Sequence, residues 1–322
     1  MDSERLPAVP FADGGPDRAA HLRDAADLMA DLVRRDRAKV VALRGDRVRI
    51  EHTGEAARLV LRTMHPSDMS RLTLFLGFGE AAGEPAGGER TAYLGVVEDP
   101  TDGDGDDGWQ TLRAVGGRLG ELDAGLASTL LGLANWHRNH RFCERCGGPT
   151  EPAKGGWIQV CAADGSEHFP RTDASVIMSV VDDAGRLLLG RGASWPENQY
   201  SVLAGFVEPG ESLESAVVRE VREEAGIEVT DVRYVGSQPW PFPSSLMLGF
   251  TARAVTTDLV PDCAEMAEVR WVTRTEYAAL LRSRAIRVPG GISIARRLIE
   301  RWLGQSVQDA AGGPVMEGWR RS

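Results

Sequence analysis

Residues 205–227 read GFVEPGESLESAVVREVREEAGI, and the reading of the chain starts from them. Leu213, Ala216, Val217, Val221 and the region of Ala225 recur at helical spacing and form an apolar stripe. Glu220 and Glu224 are four residues apart, and Glu223 is three from Glu220. Side chains at those spacings share one face of a helix. Three carboxylates on one face repel each other unless a cation sits among them, and hard oxygen ligands suit Mg²⁺ or Mn²⁺. Arg219 is placed to clamp one carboxylate and fix its direction. Gly226 is placed to end the helix in the left-handed conformation. Taken alone, EVREE also fits a charged, solvated helix face.

Downstream, residues 237–245 read SQPWPFPSS. Pro239, Pro241 and Pro243 fall within five residues and do not continue a central strand. They stiffen the segment and fix where Trp240 and Phe242 point. Rigid aromatics of this kind pack against a flat base, while Gln238, Ser244 and Ser245 supply hydrogen bonds. A structural loop whose aromatics plug a core fits the same residues.

Gly205, Glu211, Arg219, Glu220, Val221, Glu223, Glu224, Gly226 and Ile227 fill every defined position of the Nudix box, Gly-x5-Glu-x7-Arg-Glu-aliphatic-x-Glu-Glu-x-Gly-aliphatic. The chain thus resembles the Nudix hydrolase superfamily, and SQPWPFPSS is similar to the signature of its NADH pyrophosphatase subfamily. The likeness extends to WHRNHRFCERCG, EHFPRTDASVI, VLAGFVE and IARRLIE, over roughly residues 135–303. It implies an α/β (α+β) fold: a Nudix α/β/α sandwich with a mixed sheet, an N-terminal α/β domain and a small zinc-ribbon-like knuckle. It further implies hydrolysis of NADH or NAD⁺ to NMN(H) and AMP, removal of NAD caps from RNA 5′ ends, and a homodimer.

Among the residues, the resemblance makes Glu220, Glu223 and Glu224 the catalytic metal ligands beside Arg219. The Ala204 carbonyl and Glu265 would join them as Mg²⁺ or Mn²⁺ ligands, with Glu268 a nearby rival to Glu265. Phe206 matches a base-stacking position and Ala295 a substrate-contacting backbone position. Residues Gln238, Pro239, Trp240, Pro241, Phe242, Pro243, Ser244 and Ser245 form the substrate segment. Phe169 stands where the family often has Tyr, which keeps the stacking ring without its hydroxyl. Which carboxylate acts as general base is left open. A Nudix hydrolase preferring ADP-ribose or dinucleoside polyphosphates, and a non-catalytic nucleotide- or RNA-binding module, are the competing readings.

The rest of the chain sets the frame. Its 322 residues favour more than one domain. The division expected is 1–125 for the N-terminal α/β domain, 126–170 for a helix and knuckle, 171–303 for the Nudix domain and 304–322 for a tail. A formal net charge of −10 argues against an electrostatically driven nucleic-acid binder. No signal peptide or apolar run of membrane-spanning length is read, so a cytoplasmic enzyme is expected. Residues 21–36 read as an amphipathic helix and 122–141 as another. Short apolar runs at 40–43, 48–50, 59–61, 72–76 and 92–97 read as strands. Residues 175–181 and 186–189 read as a hairpin. The acidic stretch 99–108, DPTDGDGDDG, begins like an EF-hand loop but fails at loop positions six and twelve, and reads as a solvated loop. Arg296 and Arg297 fit either a phosphate contact or an ordinary charged face.

Cys143 and Cys146 form a Cys-x-x-Cys pair, and Cys161 supplies a third thiol. Family members commonly close a structural Zn²⁺ site with four cysteines, whereas here Asp164 stands at the fourth position. The site is then closed by Asp164 or His168, or the knuckle is held without metal by packing around Trp157. His137 and His140, just before the pair, read as packing or capping residues.

Overall fold

The computed structural model describes residues 5–12, 14–25, 27–34, 38–80, 90–100 and 108–318. Most of the acidic stretch lies outside the described residues. The chain divides into two compact units, Pro10–Thr172 with Pro239–Ser244, and Met1–Val9 with Asp173–Gln238 and Ser245–Ser322.

The first unit is built on a mixed sheet. β1 (Ala38–Arg44), β2 (Arg47–Thr53), β3 (Ala56–Leu59), β4 (Thr73–Gly79) and β5 (Thr91–Glu98) take the order β3-β2-β1-β5-β4, with β6 (Trp109–Thr111) paired to β2. β1 and β5 run parallel from Ala38↔Ala92 to Arg44↔Glu98. Both are nearly continuous apolar runs, as strands covered on two faces must be. Leu28, Leu32, Val40, Phe75, Leu94 and Val96 form one buried cluster. A short helix, α2 (Leu112–Val115), follows β6, and α3 (Glu121–Asn139) packs on β1, β4 and β5. Leu126, Leu130 and Leu133 are buried on α3 at helical spacing.

Four of the five expected strands are present, the run expected at 59–61 meets β3 only at Leu59, and the helix expected at 122–141 is α3. The helix expected at 21–36 is not continuous: a 3₁₀ turn at Ala20–Leu22 is followed by α1 (Leu28–Arg34). Residues between the two pieces have tertiary partners instead. The Arg23 guanidinium lies 3.6 Å over the Trp157 ring, and Asp24 pairs with Lys154 Nζ at 3.1 Å. The same unit contains the knuckle, a three-stranded antiparallel sheet of β7 (Thr150–Ala153), β8 (Ile158–Cys161) and β9 (Glu167–His168).

The second unit is the expected α/β/α sandwich. β10 (Asp173–Val181), β11 (Leu187–Gly192), β12 (Leu203–Phe206), β13 (Val229–Trp240), β14 (Ser245–Ala254) and β15 (Met266–Val272) form a sheet of order β13-β14-β10-β11-β15, with β12 on β10. β10 pairs parallel with β14 and antiparallel with β11 and β12, so the sheet is mixed. The period-2 alternation of strands divides the core. Val176, Met178, Val180 and Leu188 pack with Ala216, Val217, Val221 and Ala225 of α4 (Leu213–Ala225). Ile177, Leu187 and Leu189 pack on the other face with α5 (Arg274–Arg282), α6 (Ile294–Leu303) and α7 (Val307–Ala311). Residues after 303, read as a tail, thus contribute Val307 and Ala310 to this core. Pro239 is tolerated in β13 because β13 is an edge strand. Among the described residues no helix is long and apolar enough to cross a membrane.

Candidate functional site

The Nudix-type helix α4 is capped at both ends by its own sequence. The Ser212 hydroxyl accepts from Ser215 N–H at 3.2 Å, and Gly226 ends the helix at φ 71°. Ala216, Val217, Val221 and Ala225 are buried against the sheet, which turns Glu223 outward and places Glu220 and Glu224 beside β12. Arg219 organises the acids. Its Nη2 and Nε donate to both oxygens of Glu211 at 2.6 and 3.1 Å, and its Nη1 donates to Glu220 at 2.8 Å and Glu223 at 3.0 Å. Its Nη2 also donates to the Phe206 carbonyl at 2.9 Å, tying helix to strand. The first glycine of the box is explained by contact: a Cβ on Gly205 would stand 1.9 Å from the Glu220 carboxyl carbon. The Ser175 hydroxyl, which carries no signal in the sequence, donates to the Gly205 carbonyl at 2.9 Å.

The electrostatics call for a cation. Burial pushes Glu224 up to about 8, repulsion from Glu220 and Glu265 adds to this, and the Ala204 N–H only partly offsets it. Burial also raises Glu220, against the pull of Arg219. Glu224 Oε2 is buried without a hydrogen-bond partner. A divalent ion supplies the missing partner and the missing charge, so the residues fit Mg²⁺ or Mn²⁺. Of the two rival glutamates, Glu265 acts on Glu220 and Glu224 by its charge. Glu268 instead accepts from the Tyr200 hydroxyl at 2.6 Å, with Arg191 and Arg270 nearby at 4.0 and 3.9 Å. Ala204 is half-buried in β12, and the Phe206 ring at its end is exposed.

The substrate segment is split in its behaviour. Gln238 is fully buried, its Nε2 donating to the Ile292 carbonyl at 2.6 Å and its Oε1 accepting from Ile294 N–H at 2.8 Å. It fixes the start of α6, the helix that carries Ala295. The Ala295 side chain is buried, and its N–H donates to the Ser293 hydroxyl at 3.2 Å. Pro239–Ser244 pack within the first unit. There Trp240 and Phe242 meet edge to face at 5.0 Å, Pro241 is buried and Pro243 exposed. Ser244 and Ser245 are half-buried, and the Phe169 ring is exposed. Arg296 is buried and pairs with Glu317 at 2.9 Å, while Arg297 pairs with Glu300 at 2.8 Å.

The knuckle repeats one turn twice. In the first, Cys143 N–H donates to the Gly148 carbonyl at 2.7 Å, and in the second Cys161 N–H donates to the Ser166 carbonyl at 2.9 Å. Arg145 N–H and Ala163 N–H each donate to the leading sulfur at 3.4 Å. Gly148 N–H donates to Cys146 Sγ at 3.4 Å, and Ser166 N–H donates to Asp164 Oδ1 at 2.9 Å. Gly147 and Gly165 supply matching left-handed turns at φ 73° and 71°. Asp164 therefore holds the place of a fourth cysteine.

The ligand atoms of Cys143, Cys146, Cys161 and Asp164 all lie within 4.8 Å of one another, a set of thiols plus one carboxylate that fits Zn²⁺. The Ser166 hydroxyl and N–H hold the Asp164 carboxyl well below its usual range, so it is an ionised acceptor. His168 Nε2 lies against the Ser166 hydroxyl at 3.2 Å and stays outside the group. Among the described residues no other three such side chains come this close, the α4 glutamates included. His137 is buried with Nε2 on the Gly156 carbonyl at 2.8 Å, and burial lowers its pKa. His140 Nδ1 lies 3.1 Å from the Trp136 carbonyl at the end of α3.

Comparison with known proteins finds matches to two adjoining parts of the chain. Residues 170–289 match the NUDIX domain, and residues 138–169 match the NADH pyrophosphatase zinc ribbon domain. The chain is 47% identical over 200 residues to the NAD-capped RNA hydrolase NudC of Mycobacterium bovis (strain BCG / Pasteur 1173P2), covering 59% of this chain and 64% of the relative. It is 39% identical over 198 residues to the human NAD-capped RNA hydrolase NUDT12, covering 58% of this chain and 43% of the relative. The match thus spans less than two thirds of either curated relative. A crystal structure of a NUDIX hydrolase from Nitrosomonas europaea aligns over 52% of this chain and 94% of its own, with 24% identity and a TM-score of 0.42. The chain therefore contains a segment that matches the NUDIX domain, directly preceded by one that matches the NADH pyrophosphatase zinc ribbon.

Proposed function

We propose that this Nudix protein hydrolyses the pyrophosphate of NADH and NAD⁺ to NMN(H) and AMP, and that it removes NAD caps from RNA 5′ ends. The observation that carries this reading is the complete box folded around Arg219, in a chain that also bears the NADH pyrophosphatase ribbon and SQPWPFPSS. Water forms a bond to one phosphorus, the bridging P–O bond breaks, and the proton of water is released. Mg²⁺ or Mn²⁺, when bound, neutralises the pyrophosphate and activates the water. Glu220, Glu223 and Glu224 would hold the ion, with Glu265 and the Ala204 carbonyl as further ligands. Arg219 fixes the direction of Glu220 and Glu223 and anchors both to Glu211. The exposed Phe206 and Phe169 rings, the 238–245 segment and the backbone at Ala295 are assigned to the substrate.

Zn²⁺ would be held by Cys143, Cys146, Cys161 and Asp164, whose ligand atoms lie within 4.8 Å of one another, and would tie two turns together. The protein acts as a homodimer in this reading.

The test is product chromatography with NADH, NAD⁺, ADP-ribose and NAD-capped RNA in Mg²⁺ or Mn²⁺. NMNH and AMP from NADH are expected, with Glu220→Gln and Glu224→Gln removing most turnover and leaving the fold intact. Released nicotinamide, or undiminished activity in excess chelator, refutes the reading. A higher kcat/KM on ADP-ribose than on NADH transfers it to the other substrate class.

A further inference from the structure

Two side chains outside the box and the ribbon converge on the proline-rich loop. Asn135, on α3, donates from one Nδ2 to the Pro241 carbonyl at 3.0 Å and to the Pro243 carbonyl at 3.1 Å. Its Oδ1 in turn accepts from Arg138 at 3.3 Å, which orients the amide. Prolines have no N–H, so this stretch has few backbone donors with which to brace itself. One amide bridging the carbonyls on either side of Phe242 supplies the missing brace. The second side chain is Arg113 of α2. Its guanidinium carbon lies 4.2 Å from the Phe242 ring centre and 5.3 Å from that of Trp240. The two rings already meet edge to face at 75°, and a cation over both is attracted to each face.

We propose that Asn135 and Arg113 are positioning residues for substrate recognition: the amide fixes the backbone of the loop, and the guanidinium fixes the planes of Trp240 and Phe242 against which the base of a dinucleotide packs. The recognition half of this rests on residues 237–245 being the substrate segment. Both residues act through the loop that they brace, so the effect falls on binding and not on the chemical step.

The experiment uses the full chain labelled with 5-fluorotryptophan, the Trp240 resonance being assigned by Trp240→Phe. Asn135→Asp keeps the shape and replaces the donor by an acceptor. Asn135→Asp and Arg113→Ala are expected to shift and broaden the Trp240 line, and Arg113→Lys, which keeps a cation, to restore it. With NADH and Mn²⁺ the first two variants are expected to raise KM about tenfold and leave kcat within about twofold, the pattern of lost uniform binding. An unchanged Trp240 line in both variants overturns the positioning role. A displaced line with unchanged KM overturns the role in recognition. Wild-type protein that leaves NADH intact removes the functional reading and the recognition role with it, whereas the Trp240 line still decides the positioning.

Discussion

Gly205→Ala tests the architecture of the acidic site with a single methyl group. Gly205 is not among the residues with positive φ, so alanine meets no backbone strain there. The methyl carbon would stand 1.9 Å from the Glu220 carboxyl carbon and 2.0 Å from its Oε1, against 3.4 Å or more for ordinary contact. Glu220 must retreat by about 1.5 Å, since it is the side chain and not the helix backbone that is free to move. That displacement breaks the 2.8 Å bond from Arg219 and misplaces a proposed metal ligand. Overpacking of this kind costs about 1–3 kcal/mol of stability. A misplacement of about 1 Å at a reacting centre costs on the order of 100-fold in rate. The expected result is a folded variant whose kcat/KM on NADH falls about 100-fold and whose Mn²⁺ affinity, read by electron paramagnetic resonance, falls with it. Turnover and Mn²⁺ affinity within about threefold of wild type would refute the reasoning.

Elemental analysis of protein purified without chelator should find about one Zn²⁺ per chain. Asp164→Ala should lose most of it and Asp164→Cys retain it, while equal zinc in wild type and Asp164→Ala would assign the fourth ligand elsewhere. In the N-terminal sheet, burial pushes the Asp68 carboxyl up, but Arg62 and the His65 N–H outweigh it and hold the group below its ordinary value of 3.8. A carboxyl lowered in the folded state stabilises fully above its unfolded value, and that contribution is lost as pH falls below 3.8 towards the folded one. Asp68→Asn should cost about 2 kcal/mol near neutral pH, less than for a fully enclosed pair because Arg62 keeps part of its solvent. The cost should shrink in acid; urea titrations at pH 7 and pH 3 that give one and the same difference would contradict this. Gln238→Ala removes the two bonds that hold Ile292 and Ile294, and should lower Tm and raise the KM for NADH together. A higher KM with an unchanged Tm would mean that Gln238 acts on substrate directly.

The sequence by itself determined the acidic helix α4, its apolar stripe, its three acids and its glycine stop, because all of these follow from a period of 3.6 residues and from local caps. It also located four strands of the N-terminal sheet and the hairpin of β10 and β11, since short apolar runs bounded by turn residues have few other solutions, but not β12 to β15. Residues 21–36 show the limit: their periodicity is helical, yet Arg23 and Asp24 find partners in Trp157 and Lys154, more than a hundred positions away, and the helix is broken there. The preference we propose for Glu265 over Glu268 rests on Tyr200, whose hydroxyl donates to Glu268. Asp164, not His168, closes the knuckle because the turn at Cys161 repeats the turn at Cys143, and equivalence of two turns is visible only in their hydrogen bonds. The need for glycine at 205 arises because strand and helix meet where Glu220 lies. Each of these was left to the tertiary structure for one physical reason. Spacing along a chain fixes which side chains share a face, while their partners are set by contacts between segments that the chain brings together only when it folds.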